Sequence, residues 1–154
     1  MASSTPNTIV LRSNNRDNGM QRVHEAPCQA ATPIRPGMLL AVGTTNTIKP
    51  HAGAGLNREG NKVAIDNWQA TGSGLDTVYN AAETVRYIFA SPGDVLYMLI
   101  KTGSNVAKGA PLESAGTGAL QAAAGTAIDS LVGYAEEAVN NATGSDGRIR
   151  VRMA

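Results

Sequence analysis

Two histidines, one cysteine, twelve carboxylates and three evenly spaced arginines near the C-terminus are the side chains of this 154-residue sequence with chemistry to offer. His24 and His51 sit in polar segments flanked by Pro or Gly, with no carboxylate or cysteine at ligand spacing. Both read as surface or turn histidines. Cys28 is alone, which excludes an intramolecular disulfide and a zinc site of the CxxC type. Glu136 and Glu137 are adjacent, so on a strand they face opposite ways and make a poor acid–base pair. No GxSxG elbow or Walker loop is present, and Gly53-Ala54-Gly55 and Gly72-Ser73-Gly74 are incomplete as dinucleotide fingerprints. Asn141-Ala142-Thr143 satisfies a glycosylation sequon, which matters only on a secretory route. The expectation is a protein that is not an enzyme and takes no cofactor or metal.

Three other features read as contact surfaces. In residues 148–153, Ile149, Val151 and Met153 point one way and Arg148, Arg150 and Arg152 the other, a period of two. Such an arginine face either holds carboxylates on a partner or forms a solvated edge that discourages aggregation. Trp68, the lone tryptophan, is an interface anchor or a lid on the core, and core packing is the better account. Ile9-Val10-Leu11-Arg12 is an apolar island in a polar segment. It reads equally as a first strand or as an arm that adds a strand to a neighbouring subunit.

Composition narrows the setting. Charged residues are 16% of the chain and the net charge is +1, which argues against a nucleic-acid footprint. With 17 glycines and 4% aromatics, the chain reads as short strands joined by turns. No stretch approaches 18 apolar residues, so no transmembrane helix is expected. The first residues carry neither a basic start nor an apolar region, which reads as no secretion signal and a cytosolic default.

The elements that must position these groups centre on Val95-Leu96-Tyr97-Met98-Leu99-Ile100, the longest unbroken apolar run. Six residues bounded by Pro92-Gly93 and Gly103 predict a strand buried on both faces. Residues 1–30 read as an extended N-terminal arm and 31–154 as a single β domain. Residues 34–73 laid over 106–145, a constant offset of 72, give nine identities in forty, ending in ATGS at 70–73 and 142–145. An internal duplication follows. Ile34/Val106, Ile48/Leu120 and Leu56/Ile128 match in kind, and short strands are expected around Ile48 and Leu120. Closing strands are expected at 84–89 and 148–153, the second behind an Asp146-Gly147 hairpin turn. Residues 73–82, with Ser73 and Asp76 spaced as a capping box, predict one or two helical turns. Residues 128–139 fit a helix or a strand. The fold class is all-β, a small barrel or jelly-roll-like sandwich.

Laid out this way, the chain resembles the head-decoration, or capsid cement, proteins of tailed bacteriophages. The resemblance rests on residues 34–40, 48–52 and 74–79, on 91–114 through the apolar run, and on 118–121 and 148–152. It implies a β barrel or sandwich on the outer surface of an assembled virion capsid, made in the host cytoplasm. The partners would be the major capsid protein and further copies of the chain, a homotrimer in preference to a dimer, with no nucleic acid or membrane. The neighbour-contacting residues would be Ile9, Val10, Leu11, Arg12, Trp68, Arg150 and Arg152, and 134–139 should be a strand. The alternative is a carrier domain, since 93–112 is also similar to the hammerhead half of biotinyl and lipoyl domains. Lys101 is the only candidate carrier lysine near the core strand, and it lacks the Met or Asp-Ala flanks.

Overall fold

A computed structural model of the chain describes residues 5–13, 22–29, 31–55, 61–125, 128–142 and 144–154. The strands of the first half are β1 (Val10–Arg12), β2 (Val23–Pro27), β3 (Leu39–Val42), β4 (Ile48–Pro50), β5 (Lys62–Ala64) and β6 (Thr84–Phe89). The apolar run is β7 (Val95–Ile100), followed by β8 (Asn105–Val106), β9 (Pro111–Ser114) and β10 (Leu120–Ala122). A single 3-10 turn, Ile128–Ser130, leads into β11 (Leu131–Ala135), β12 (Val139–Asn140) and β13 (Gly147–Met153). The protein is all-β, as the composition predicts.

The apolar run is buried on both faces because two sets of neighbours use it. Leu96, Met98 and Ile100 alternate into one hydrophobic cluster, and Leu99 points into another. β7 belongs to the closed barrel β7-β10-β9-β11-β13, in which β13 returns to pair with β7 along its length. Ile149, Val151 and Met153 are buried inside, while Arg148, Arg150 and Arg152 face outward, as the period of two requires. At about 1.5–3 kcal/mol for each large side chain buried, the six apolar residues of β7 are worth on the order of ten kcal/mol.

The first half forms a second five-stranded sheet, β2-β6-β5-β3-β4, whose outer strands meet through a parallel bridge between Cys28 and Ile48. The two sheets are the same object built twice. Shifting β2, β3 and β4 by 72 residues lands on β7, β9 and β10. Leu40 pairs with Pro50 as Leu112 pairs with Ala122. Ala26 pairs with Val85 as Met98 pairs with Ile149. The closing bridge Cys28–Ile48 has its counterpart in Ile100–Leu120, and the Ile34–Tyr79 bridge in the β8–β12 pair. The turns match as well: Gly37 N–H donates to Ala64 O, and Gly109 N–H to Ala135 O.

The duplication therefore reaches further than 34–73 and 106–145. β2 lies within the stretch expected to be an extended arm, yet it is the cognate of the core strand. The ATGS tetrapeptides are not equivalent in space: 70–73 precede the Tyr79 bridge, whereas 142–145 follow β12. Thr143 and Leu56 lie outside the described residues, and so do residues 1–4 and 14–21 of the expected arm.

One further expectation is met at its lower bound and two are corrected. Residues 73–82 make one hydrogen-bonded turn, Thr77 N–H to Ser73 O at 3.2 Å, because Tyr79 leaves it to bridge Ile34. The strand expected over 134–139 divides, β11 ending at Ala135 and β12 starting at Val139. Asp146 makes no hairpin turn between paired strands; its carboxylate instead accepts from Thr102 N–H at 2.9 Å.

The halves share their cores. One cluster runs from the interior of the second barrel to Leu39, Val63, Ile88 and Leu75 of the first half. The other fills the first barrel with Cys28, Leu40, Ile48, Ala64 and Val85, and takes Leu99 and Ala119 from the second half. At the seam, Leu99 N–H donates to Gly37 O and Leu39 N–H to Gly118 O. Gly37 has φ +88, and a Cβ there would lie 2.8 Å from Tyr97 O, so this close approach requires glycine.

Candidate interaction surface

The arginine face is positioned by β13, and its cations are matched within the chain. Arg148 is the deepest, its side chain 10% exposed. It donates to Pro36 O from Nε and Nη2, to Leu75 O, and to Asp76 Oδ1 at 3.2 Å. Arg150 Nη1 lies 3.3 Å from Glu137 Oε2, and Arg152 Nε 2.9 Å from Glu136 Oε1. The two adjacent glutamates do not face opposite ways. β11 ends at Ala135, and the bend after it turns both carboxylates toward β13. A cleft of about 250 Å³ beside this face is lined by Thr5, Pro6, Tyr97, Glu137, Arg148 and Arg150 among others. Arg150 is paired with Glu137 and Arg148 with Asp76, so the cleft offers a ligand no unpaired arginine.

Trp68 is 55% exposed, which overturns the core-packing reading. It stands in the loop between β5 and β6, with the Arg86 guanidinium 5.9 Å from its ring centre. Arg86 Nε lies 3.8 Å from Glu25 Oε1, an ion pair too long for a hydrogen bond, and that buried nitrogen makes no hydrogen bond among the described residues. The loop is held from below by Asn67, which is 4% exposed and donates to Val78 O. An exposed indole on a braced loop beside the Arg86 guanidinium is a contact-ready arrangement.

The other side of the same strands carries rings. His24 stacks on Tyr87 at 5.6 Å and meets Phe89 edge-on at 4.8 Å, and Lys62 Nζ lies 5.4 Å from the Phe89 ring centre. In the second barrel, the counterparts of His24, Tyr87 and Phe89 are Leu96, Val151 and Met153, all buried. The first barrel is thus open and aromatic where the second is sealed.

Of the four island residues, Ile9 is fully buried, packed beside Gly37 and Leu39, and its N–H donates to Asp66 Oδ1 at 2.8 Å. Val10 and Leu11 are half-buried, Arg12 is exposed, and β1 pairs antiparallel with β7 of its own chain. The first-strand reading is the one the structure adopts, and Ile9 is a core residue. Arg12 and Arg152 both pair with Val95, so the island and the C-terminal arginines flank β7 from its two edges.

His51 is no surface histidine. It is 5% exposed, with Nδ1 2.8 Å from Ser114 Oγ, which also accepts from Gly116 N–H. Ser114 is fully buried, so this pair joins the two hairpins across the seam and cannot meet a substrate. Burial pushes the Cys28 thiol up from its ordinary range, and pushes the Tyr79 phenol up to about 12. Hydrogen bonds from Ser73 and then Arg148 hold the Asp76 carboxyl below its usual range. Among the described residues no group of three or more His, Cys, Asp or Glu could hold a metal ion, and no helix is long and apolar enough to cross a membrane.

Sequence reasoning missed Phe89, Glu25 and Arg86. Arg86 and Phe89 lie on the closing strand expected at 84–89, but their placement beside Glu25 and His24 is legible only once β2 is paired with β6. No protein-family model and no curated protein matches the chain.

Proposed function

We propose that this protein is a capsid decoration protein that binds the outer surface of an assembled phage head and bridges its major capsid subunits. The observation that carries the reading is the exposed Trp68 beside Arg86, braced on a rigid doubled barrel. Aromatic and arginine side chains presented without loss of order are the usual anchors of an interface. The resemblance of the strand and turn segments to cement proteins points the same way. A molecule that binds the assembled shell and not its dissociated subunits stabilises the shell by linkage, and many copies add avidity.

The test is to mix the purified protein with undecorated heads, image them, and measure occupancy. Decorated heads are expected, with Trp68→Ala weakening occupancy by about tenfold or more, the loss typical of a buried aromatic anchor. Wild-type protein that leaves heads bare overturns the reading. Intact mass after expression with a biotin or lipoate ligase addresses the carrier alternative, and an added cofactor on Lys101 would support it.

A further inference from the structure

The duplication builds one arginine site twice, and the two halves treat its carboxylate differently. Ala64 pairs with Tyr87 as Ala135 pairs with Val151. One residue further on, Ile65 N–H donates to Arg86 O at 3.0 Å, and Glu136 N–H donates to Arg150 O at 2.8 Å. Arg86 and Arg150 are therefore cognates, and so are the acids that follow the two donors, Asp66 and Glu137. In the second half the arginine and the acid meet. Glu137 Oε2 lies 3.3 Å from Arg150 Nη1, and Glu137 Oε1 accepts from the Arg150 backbone N–H at 2.9 Å. In the first half the acid is shorter by one methylene and serves another donor: Asp66 Oδ1 accepts from Ile9 N–H at 2.8 Å. Arg86 keeps the long ion pair to Glu25 and the ring of Trp68, and its buried Nε makes no hydrogen bond among the described residues.

We propose that Arg86 receives a carboxylate side chain of the capsid subunit, in the place that Glu137 takes at Arg150, with Trp68 packing against the same contact. This inference rests on the decoration reading. The chemistry of the guest is set by the second half, where a carboxylate meets the same kind of side chain on the equivalent strand. A guanidinium presents a planar fork of donors that matches the two oxygens of a carboxylate. The Trp68 ring, 5.9 Å away, limits the orientations of that fork, so less freedom is lost on pairing. Glu25 does not take the place of Glu137: it stands on the adjoining strand β2, 3.8 Å from Nε, with its side chain 58% exposed. The source of the guest lies outside the chain. Asp76, Glu113, Glu136, Glu137 and Asp146 are each bonded within their own molecule, so a second copy would break an internal contact to supply any of them. Covered by a partner, such a charge pair is worth far more than on an open surface.

The experiment compares wild type, Arg86→Gln and Glu25→Gln on undecorated heads, and images wild-type decorated heads at side-chain resolution. Arg86→Gln is expected to bind about tenfold or more weakly, the loss of one covered charge pair. Its thermal unfolding should stay near that of wild type, since a long, partly exposed ion pair adds little to folding. Glu25→Gln removes the competing acid of the same chain and should bind as wild type does or a few-fold more tightly. The images should place an Asp or Glu of the capsid subunit within hydrogen-bond distance of the Arg86 guanidinium. Arg86→Gln that decorates heads as fully as wild type overturns the carboxylate contact and leaves the decoration reading standing. Wild type that leaves heads bare overturns that reading and this inference with it. Weakening by Glu25→Gln equal to that of Arg86→Gln assigns the contact to the Glu25–Arg86 pair and also overturns it. A carboxylate from a second copy seated on Arg86 refutes the capsid source.

Discussion

Tyr79 shows how much one side chain can fasten. It is fully buried, its hydroxyl donates to Ile65 O and Asp66 O at 3.0 and 2.8 Å, and its backbone exchanges two hydrogen bonds with Ile34. Burial favours the neutral phenol and raises its pKa to about 12. A group raised in the folded state contributes stability that is complete below its unfolded pKa, about 10 for tyrosine, and is lost as pH climbs through the folded value. Stability should therefore hold steady to about pH 10 and fall by roughly 2–3 kcal/mol between pH 10 and 12. Urea midpoints across that range check it. Tyr79→Phe should flatten this fall while costing about 1–3 kcal/mol at neutral pH, because two part-buried carbonyls lose the hydroxyl they share. A steep alkaline loss that persists in Tyr79→Phe would assign it to another group.

At the scale of elements, β1 is best tested through the residue before it. Ile9 is in the core, its carbonyl accepts from Tyr97 N–H, and β1 covers the β7 edge. Ile9→Ala should lower unfolding stability by about 2–5 kcal/mol in the isolated protein, measured by denaturant titration. An arm reserved for a neighbour would show no such cost. The elements that were legible in the sequence are those whose own residues carry the signal. The apolar run predicts β7, the alternation of 148–153 predicts β13, and turn glycines at a fixed offset predict the two hairpins. β2 was illegible because its residues, VHEAP, replace the apolar run of β7 with polar and small groups, so neither period nor propensity marks it. The capping pair Ser73 and Asp76 was read correctly as a turn signal, yet the turn ends where Tyr79 finds Ile34, a tertiary contact 45 residues away that local sequence does not encode. Trp68 was misplaced for a similar reason: a large aromatic is usually buried, and only the loop braced by Asn67 holds this one out.

For the molecule as a whole, the shared clusters tie the two barrels into one cooperative unit. Arg148 reinforces that union, carried by β13 of the second half and bonded to Pro36, Leu75 and Asp76 of the first. Its worth lies mainly in the carbonyls, since the Asp76 side chain is 72% exposed and its ion pair is screened by solvent. Arg148→Ala should cost about 1–3 kcal/mol and keep a single unfolding transition with coincident circular dichroism and fluorescence. Two separated transitions would mean that the barrels unfold independently.

The seam between the halves is a head-to-tail contact, and contacts of that kind do not close by themselves. The turn that presents Gly37 to β7 recurs as the turn of Gly109, and the strand that receives it recurs as β2. Nothing in that geometry would stop a third barrel, from another molecule, stacking on the first, and a fourth on the third. Leu99 supplies the N–H that fastens one barrel to the next; its cognate is Pro27, which has none to give. One proline thus withholds, at the outer strand of the first barrel, the bond that joins the two halves at their seam.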